Sequence, residues 1–217
     1  MVRPSASAPF LARPELQGSF GMCASTHWVG SAVAQAVLER GGNAFDAAVA
    51  AGFVLHIVEP HLNGPGGDMV ALVTRAGSTP QVVCGQGPAP RAATIAHYAA
   101  EGLESVPGSG ALAAAVPGAV DAWLLMLRDY GTWRLGDVLE FAISYADQGQ
   151  PLLAAATRVI ADVKYLFLES WPTSADLWLP DGHAPQPGDA HCNPAWAATL
   201  RRLRDEATAM TRGTARE

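Results

Sequence analysis

The sequence predicts a helix-rich α+β fold, and three observations support this. Residues 31–40 and 44–58 are both patterned as helices, with cap signals between them. Two short apolar segments, 69–74 and 81–84, are patterned as strands with a short loop between them. From residue 119 onward the long apolar patterns are helical. Helices are therefore expected to outnumber strands.

The first predicted helix, residues 31–40, consists of good helix formers with alanine and valine on one stripe. It ends at Gly41 and Gly42, because glycine can adopt the left-handed conformation that ends a helix. Asn43 then offers its side-chain oxygen to the first free amides of the next helix. Asp46, three residues later, resembles the second member of a capping box.

The second predicted helix, residues 44–58, is apolar around nearly its whole circumference. Its strongly polar residues are Asp46 and His56 alone, so we expect it to be buried in the core. Such a helix is about 22 Å long at about 1.5 Å per residue, which is short of a bilayer span. The sequence therefore predicts a core helix and no membrane partner.

A glycine-rich turn, residues 59–68, separates this helix from the first strand. Its prolines and its glycines Gly64, Gly66 and Gly67 exclude helix and favour backbone angles that other residues avoid. The glycines imitate a phosphate-binding loop, but they precede a strand and lack the Gly-Lys-Ser/Thr ending of such loops. A nest of backbone amides and simple turn geometry remain as the two interpretations.

The two strands are expected to pair as neighbours, because the loop between them is short. Residues 85–91, after the second strand, contain too many glycines and prolines to continue in a sheet. We expect them to form an open loop at the sheet edge, and such loops often carry sites. Cys23 and Cys84, beside the strands, are expected to be small buried hydrophobic residues.

The rest of the chain is predicted to be mainly helical. Residues 111–116 fit strand or helix by periodicity, and their position between Gly110 and Pro117 favours a short buried strand. Residues 171–188, rich in proline and aspartate, are expected to form a surface loop. Further helices are predicted over residues 95–101, 119–130, 135–148, 152–167 and, after a cap at Asn193, 194–207.

Composition excludes some classes of protein. With 49% hydrophobic residues among 217, the chain can build a substantial core. The 14 basic and 20 acidic residues give a net charge of −6, without a basic run on a helix face, so we expect no nucleic-acid partner. Three widely spaced cysteines fit a reduced compartment. The amino-terminal region has no apolar core of signal-peptide length, which predicts a cytoplasmic protein.

The segment 38–51, LERGGNAFDAAVAA, and the following Val58-Glu-Pro-His61 closely resemble the amino-terminal region of the gamma-glutamyltransferase (glutathione hydrolase) family. The resemblance continues through Ala89-Pro90 and Val116-Pro-Gly118, and so covers the chain from about residue 21 to about residue 203. It implies the αββα layered sandwich of an N-terminal-nucleophile (Ntn) hydrolase. This chain would supply the amino-terminal, large-subunit-like portion at 19–207, with a flexible arm at 1–18 and a tail at 208–217.

The resemblance also implies a mechanism. In the family an internal threonine becomes a new amino terminus by self-cleavage, and its hydroxyl attacks an amide carbonyl with its own amine as general base. Here no threonine is followed by Thr or Ser and then His, and Thr26-His27 is the nearest imitation. Ser25 and Thr26 precede a helix, so a helix-start role is preferred. We therefore expect the nucleophile downstream, no catalytic residue or cofactor here, and no activity without the missing carboxy-terminal half.

Gln86 and Arg91 are the candidate binding residues for a small-molecule amide or γ-glutamyl substrate. The family usually has arginine at the position of Gln86, within Arg-Glu-x-Ala-Pro, and its guanidinium binds the α-carboxylate of a γ-glutamyl group. Glutamine has no charge, and Arg91 is a candidate substitute. The loop near the site is expected to be Gly64, Gly66, Gly67 and Asp68. The alternatives are a branch that acts on other amides, such as cephalosporin acylases, and a Gln86 that merely caps a strand end.

His56, Glu59 and His61 lie close enough in sequence to suggest three metal ligands. Pro60 breaks their helical spacing, and the resemblance accounts for Glu59 and His61 as a structural motif, so we expect no metal.

Two hypotheses of different class remain, namely the amino-terminal part of an amidohydrolase and a stand-alone remnant that acts as a binding module. Apolar helices and strands without sheet partners favour the first, because exposed edges and faces invite aggregation.

Overall fold

The computed structural model describes residues 16–214, with side chains as far as residue 210. Its helices are α1 Trp28–Glu39, α2 Ala44–Val58, α3 Ile95–Ala100, α4 Ala119–Tyr130, α5 Leu135–Gln148, α6 Ala154–Asp162, α7 Lys164–Ser170, α8 Pro172–Trp178 and α9 Pro194–Thr214. Its strands are β1 Met69–Val73, β2 Gln81–Gly85, β3 Gln150–Pro151 and β4 Ala190–His191. β1 pairs with β2, and β3 with β4, both antiparallel. The predicted helix-rich α+β fold is confirmed.

α2 is the centre of the core, and both of its ends lie where the sequence predicts them. Its residues Val49, Phe53 and Val54 are fully buried, and α1, α4 and α5 pack around it. α9 packs on α5 and buries Ala197 and Leu200. An apolar surface on most of its circumference therefore stabilises α2, since α1, α4 and α5 cover it and only Ala44 and Ala48 are exposed.

Asp46 ties the start of α2 to the loop between α4 and α5. The predicted capping box is present, because Asn43 accepts from the amides of Phe45 and Asp46 while Asp46 Oδ2 accepts from the Asn43 amide at 2.8 Å. The same carboxylate accepts from the Thr132 hydroxyl at 2.6 Å, the Thr132 amide at 2.8 Å and the Trp133 amide at 3.1 Å. Asp46 has no exposed surface, so this carboxylate satisfies donors that water does not reach.

We expect Asp46→Asn to destabilise the protein by about 1–3 kcal/mol at neutral pH, since a charged acceptor of several hydrogen bonds is lost. Burial raises the pKa of Asp46. The hydrogen bonds that it accepts from Thr132, Asn43 and Trp133 together lower this pKa by more than burial raises it, so the net pKa lies below the ordinary value. Stability from a lowered carboxyl pKa is present above the unfolded-state pKa and is lost as the pH falls through the folded-state pKa.

Urea unfolding of the parent and Asp46→Asn proteins across pH 2–7 measures this effect, because that range includes the ordinary Asp pKa of about 3.9. The two free energies of unfolding should converge at the acid end. Asp176→Asn, at an exposed aspartate of α8, is the matched control and should show no such convergence. A constant difference between parent and Asp46→Asn at every pH would contradict the role of the charge.

The β1–β2 hairpin has one covered and one exposed face. Its register pairs Met69 with Gly85, so the prediction that these strands are neighbours is confirmed. Val73 and Val83 are buried, and β2 contacts α4. The opposite face is apolar but exposed, with Val70 at 59%, Leu72 at 77% and Val82 at 63%. Cys84 is also exposed, so the expectation that this thiol is buried is wrong.

Helices α6 to α8 form a second, smaller core around Leu152, Ile160 and Leu179. The single helix predicted for residues 152–167 is wrong, because Val163, with φ −97° and ψ 5°, separates α6 from α7. The loop predicted for residues 171–188 contains α8, where Pro172 occupies the first turn. Proline is favoured there because its fixed φ is suited to the start of a helix.

The strand predicted for residues 111–116 is also wrong. Ala111–Ala113 form a short 3-10 turn, and none of the three is buried. The Tyr98 hydroxyl donates to the Leu112 carbonyl at 2.7 Å, and the Val116 amide donates to the Pro88 carbonyl at 3.0 Å. Among the described residues no strand pairs with this segment, so it lacks the ladder of hydrogen bonds that a strand needs.

Two helix ends differ from prediction. α1 begins at Trp28 rather than residue 31, because His27 acts as its cap and its Nδ1 accepts from the Val29 amide at 3.1 Å. α9 continues past residue 207 to Thr214, supported by the Arg202–Glu206 pair one turn apart.

Most of the predicted arm, residues 1–18, and the last residues of the predicted tail, 208–217, lie outside the described residues. Those domain boundaries therefore stay predictions.

No helix between residues 16 and 214 is long and apolar enough to cross a membrane. The cytoplasmic location stays a prediction.

Candidate substrate-binding site

The candidate site lies at the open end of the hairpin, where β1 begins and β2 ends. The register pairs Met69 with Gly85, so Asp68 and Gln86 lie one residue further along the two strands. Two segments that are separate in the sequence, the glycine-rich turn and the loop after β2, are therefore neighbours. The start of α4 is the third component of the site.

The glycine-rich turn is attached to the first turn of α4. The Gly67 carbonyl accepts from the amides of Gly118 at 3.3 Å and Ala119 at 3.2 Å. Gly67 also donates from its own amide to the Gly64 carbonyl at 3.1 Å, which closes the turn. Two free amides at the start of α4 are thereby satisfied by the turn, and the turn is held beside β2.

The loop after β2 packs backbone against backbone on the segment before α4. Gly87 has φ +78°, and a Cβ there would lie 1.8 Å from the Val116 carbonyl oxygen. A Cβ on Gly118 would lie 2.4 Å from the Gly85 carbonyl oxygen. Since real Cβ atoms do not approach backbone this closely, only glycine fits at both positions. This contact holds the loop that carries Gln86.

The glycine-rich turn itself is conformationally ordinary. Of the described glycines with positive φ, none is Gly64, Gly66 or Gly67, so the expectation of unusual backbone angles in this turn is wrong. This favours simple turn geometry, and the alternative of a nest of backbone amides stays a prediction. The Gly64–Gly67 hydrogen bond closes the turn without strain, and Asp68 follows it as an exposed residue.

We therefore expect Gly66→Ala to change the free energy of unfolding by less than about 0.5 kcal/mol, as an ordinary surface substitution does. A Cβ on Gly66 would meet no atom within 4 Å. Gly67→Ala is the matched comparison, because its Cβ would lie 3.2 Å from the Gly64 carbonyl oxygen and should cost more. Thermal melting of both variants checks this, and a Gly66→Ala protein less stable than Gly67→Ala would contradict the turn geometry.

Gln86 and Arg91 occupy different surroundings. The Gln86 side chain is exposed, and its Oε1 accepts from Cys84 Sγ at 3.7 Å. Arg91 is exposed and lies in the turn closed by the Ala93 amide and the Pro90 carbonyl at 2.9 Å. No hydrogen bond or ion pair within the described residues joins Arg91 to Gln86. The role of Arg91 as a substitute cation stays a prediction.

Glu59 is a structural residue whose contacts the sequence did not reveal. Its side chain is 3% exposed, and the Thr26 hydroxyl donates to its carboxylate. Its backbone carbonyl accepts from the amides of Leu62 at 3.0 Å and Asn63 at 3.3 Å. Glu59 thus connects the segment before α1 to the glycine-rich turn. Thr26 serves this contact, whereas the cap of α1 is His27.

Two histidines near the glycine-rich turn, His27 and His56, are buried. Burial lowers the pKa of His27, although the Glu59 charge raises it, and burial lowers the pKa of His56 to about 4. His56 packs edge-on against Phe53 with ring centroids 5.8 Å apart. Within residues 16–210 no three His, Cys, Asp or Glu side chains are grouped so that they could hold a metal ion. His56 is accordingly a neutral core histidine at physiological pH.

The gamma-glutamyltranspeptidase family model matches residues 30–212, and the chain belongs to this family. The glutathione hydrolase-like YwrD proenzyme of Bacillus subtilis (strain 168) is 36% identical over 173 residues, which is 79% of this chain and 33% of that protein. The chain therefore spans about a third of the length of this curated relative.

Two solved structures are also similar. LmbA2991HD is 56% identical with a TM-score of 0.87, over 90% of this chain and 34% of that one. The cephalosporin acylase of Bacillus halodurans is 30% identical with a TM-score of 0.84, over 95% of this chain and 40% of that one. The fold is thus that of the amino-terminal portion of an Ntn hydrolase.

Proposed function

We propose that this chain is the amino-terminal part of an amidohydrolase that cleaves γ-glutamyl or related amide bonds through an acyl-enzyme. The observation that carries the proposal is the family match together with the position of the hairpin's open end, where the glycine-rich turn, the loop after β2 and the start of α4 meet. The nucleophile in this proposal is an amino-terminal threonine outside the chain, exposed by self-cleavage. The name of the relative YwrD, a proenzyme, supports such processing.

The reaction has two halves. The threonine amine accepts the hydroxyl proton as the oxygen attacks the amide carbonyl, and the amine of the substrate leaves with a proton. Water, or the amine of an acceptor, then attacks the ester and releases the acyl group. The residues of this chain bind and orient the acyl group, with Gln86 as the hydrogen-bonding side chain at the open end.

A second candidate function is hydrolysis of amides whose acyl group is not γ-glutamyl. The side chain at position 86 has no charge, and within the described residues no hydrogen bond or ion pair joins Arg91 to it. Without a guanidinium at this place, a bidentate charged pair with an α-carboxylate is not available from Gln86. The similarity to a cephalosporin acylase supports this candidate.

We also propose that the carboxy-terminal part of the protein covers the exposed face of the β1–β2 hairpin away from its open end. This part of the face presents Leu72 and Val82 to solvent, and within the described residues neither strand pairs with a third strand. Exposed apolar faces and sheet edges promote aggregation unless another segment covers them. This argues against the alternative of a stand-alone binding module.

The test compares the full-length protein with residues 1–217 on a γ-glutamyl anilide and on anilides with uncharged acyl groups. We expect the full-length protein to release aniline from at least one of them, and residues 1–217 to release none. Replacement by alanine of the threonine that mass spectrometry finds at the new amino terminus should abolish turnover. A full-length protein that cleaves no amide, or turnover by residues 1–217 that follows the protein through purification, would overturn the proposal.

A further inference from the structure

We propose that Cys84 is a positioning residue that fixes the orientation of the Gln86 amide in the acyl site, so that the site selects acyl groups that carry an oxygen acceptor and no carboxylate. This inference rests on the proposed function and names the substrate class of the same site. It depends on the strand register and on one side-chain contact.

The alternation of side chains along the strands, continued one residue past the last register pair, places four side chains on one face at the open end. Cys84 and Gln86 are two residues apart along β2 and its extension, so they point to the same side. Cys84 pairs with Val70 on β1, and Asp68 is two residues before Val70. These four residues, all exposed, we call the open-end patch. The buried Val83 lies on the opposite face, so the open-end patch points away from the helices.

Within the open-end patch the Gln86 amide has a defined orientation. The thiol of Cys84 donates to Gln86 Oε1 at 3.7 Å, a weak hydrogen bond to a sulfur donor. A primary amide with its oxygen engaged has two N–H donors left to offer. A substrate oxygen can then accept a hydrogen bond from these N–H groups of Gln86.

Charge in the open-end patch favours the same substrates. Asp68 precedes Met69, whose register partner Gly85 precedes Gln86, and the formal charge of Asp68 is negative. An acyl group with a carboxylate would meet this charge without a cation in the open-end patch to offset it. An acyl group with an amide, ketone or ester oxygen meets the Gln86 donors instead. Val70 supplies an apolar surface beside them.

Steady-state kinetics of the full-length protein on an anilide with an uncharged, oxygen-bearing acyl group test the role of Cys84. We expect Cys84→Ala to raise KM by about three- to tenfold with a smaller change in kcat, since one neutral hydrogen bond orients the amide. Cys84→Ser should restore KM to within about twofold, because its hydroxyl can make the same donation. Cys192→Ala, which removes another exposed thiol, is the matched control and should leave KM unchanged.

A double-mutant cycle separates positioning from simple packing. In a Gln86→Met background, Cys84→Ala should have no further effect on KM, because no amide remains to be oriented. An equal effect of Cys84→Ala in both backgrounds would overturn the proposal. So would a Cys84→Ala protein whose KM equals that of the parent.

A labelling experiment tests the contact even if the full-length protein cleaves no amide. The rate at which iodoacetamide modifies Cys84, measured on its peptide by mass spectrometry, should rise about threefold or more in Gln86→Ala, because the thiol loses its acceptor and part of its cover. Cys192 in the same sample is the internal reference and should not change. If Cys84 is modified at the same rate in the parent and in Gln86→Ala, or is modified in neither, the proposal is overturned. This outcome does not depend on whether the full-length protein cleaves an amide.

Discussion

Gly87→Ala is expected to lower the free energy of unfolding by about 3–5 kcal/mol. Two costs combine, since a residue other than glycine is strained in a left-handed conformation by about 1–3 kcal/mol and forced overlap costs about as much again. Gly87 has φ +78°, and its new Cβ would lie 1.8 Å from the Val116 carbonyl oxygen. That oxygen belongs to backbone, so it cannot rotate away as a side chain would. Equilibrium denaturation in urea measures the loss.

Two matched glycines separate the two costs. Gly77 has φ +75° with open space around its Cβ position, so Gly77→Ala should cost about 1–2 kcal/mol from strain alone. Gly118 has φ −118°, but its Cβ would lie 2.4 Å from the Gly85 carbonyl oxygen, so Gly118→Ala should show the cost of overlap alone. Gly87→Ala should approach the sum of the two. A Gly87→Ala protein no less stable than Gly77→Ala would show that the loop does not pack on the segment before α4.

Gln86→Arg in the full-length protein is expected to raise kcat/KM for γ-glutamyl donors by about ten- to a hundredfold. A bidentate guanidinium–carboxylate pair contributes about 1.5–3 kcal/mol, and each 1.4 kcal/mol corresponds to about tenfold in rate. Gln86 is exposed at the open end of the hairpin, so the longer side chain has room. Activity on uncharged acyl groups should not rise in parallel.

Variants at the same position and at Arg91 identify the source of any gain. Gln86→Lys supplies the charge without the planar fork and should give a smaller increase. Gln86→Met removes the amide without adding charge and should not improve γ-glutamyl donors. An unchanged donor preference in Gln86→Arg would refute the assignment of Gln86 to the acyl site. Loss of γ-glutamyl activity in Arg91→Ala would show that Arg91 supplies the cation, although no hydrogen bond or ion pair joins it to Gln86 within the described residues.

Features that depend on neighbours in the sequence were predictable. α2 begins and ends at the predicted residues, because the Asn43 cap and its partner Asp46 are three residues apart and the helix is apolar throughout. The β1–β2 pairing follows from two apolar segments joined by a short loop. Family membership was evident from ordered motifs between residues 38 and 118. Each of these signals is complete within a short stretch of chain.

Features that depend on distant partners were not predictable. Residues 111–116 have the composition of a buried strand, yet no described strand pairs with them, and their conformation is decided by contacts with Pro88 and Tyr98. His27 is an uncommon cap, and its use at α1 was visible only in the folded chain.

The sequence by itself determined the family, the core helix and the identity of the side chain at position 86. Tertiary structure decided which glycines are indispensable. Gly66 and Gly87 both lie in glycine-rich loops, but only Gly87 has a positive φ and a carbonyl oxygen against it. That oxygen belongs to Val116, which is distant in sequence and is brought there by the packing of α4 beneath β2. Local patterns encode helices, caps and hairpins, whereas close approach between backbones depends on how those elements pack.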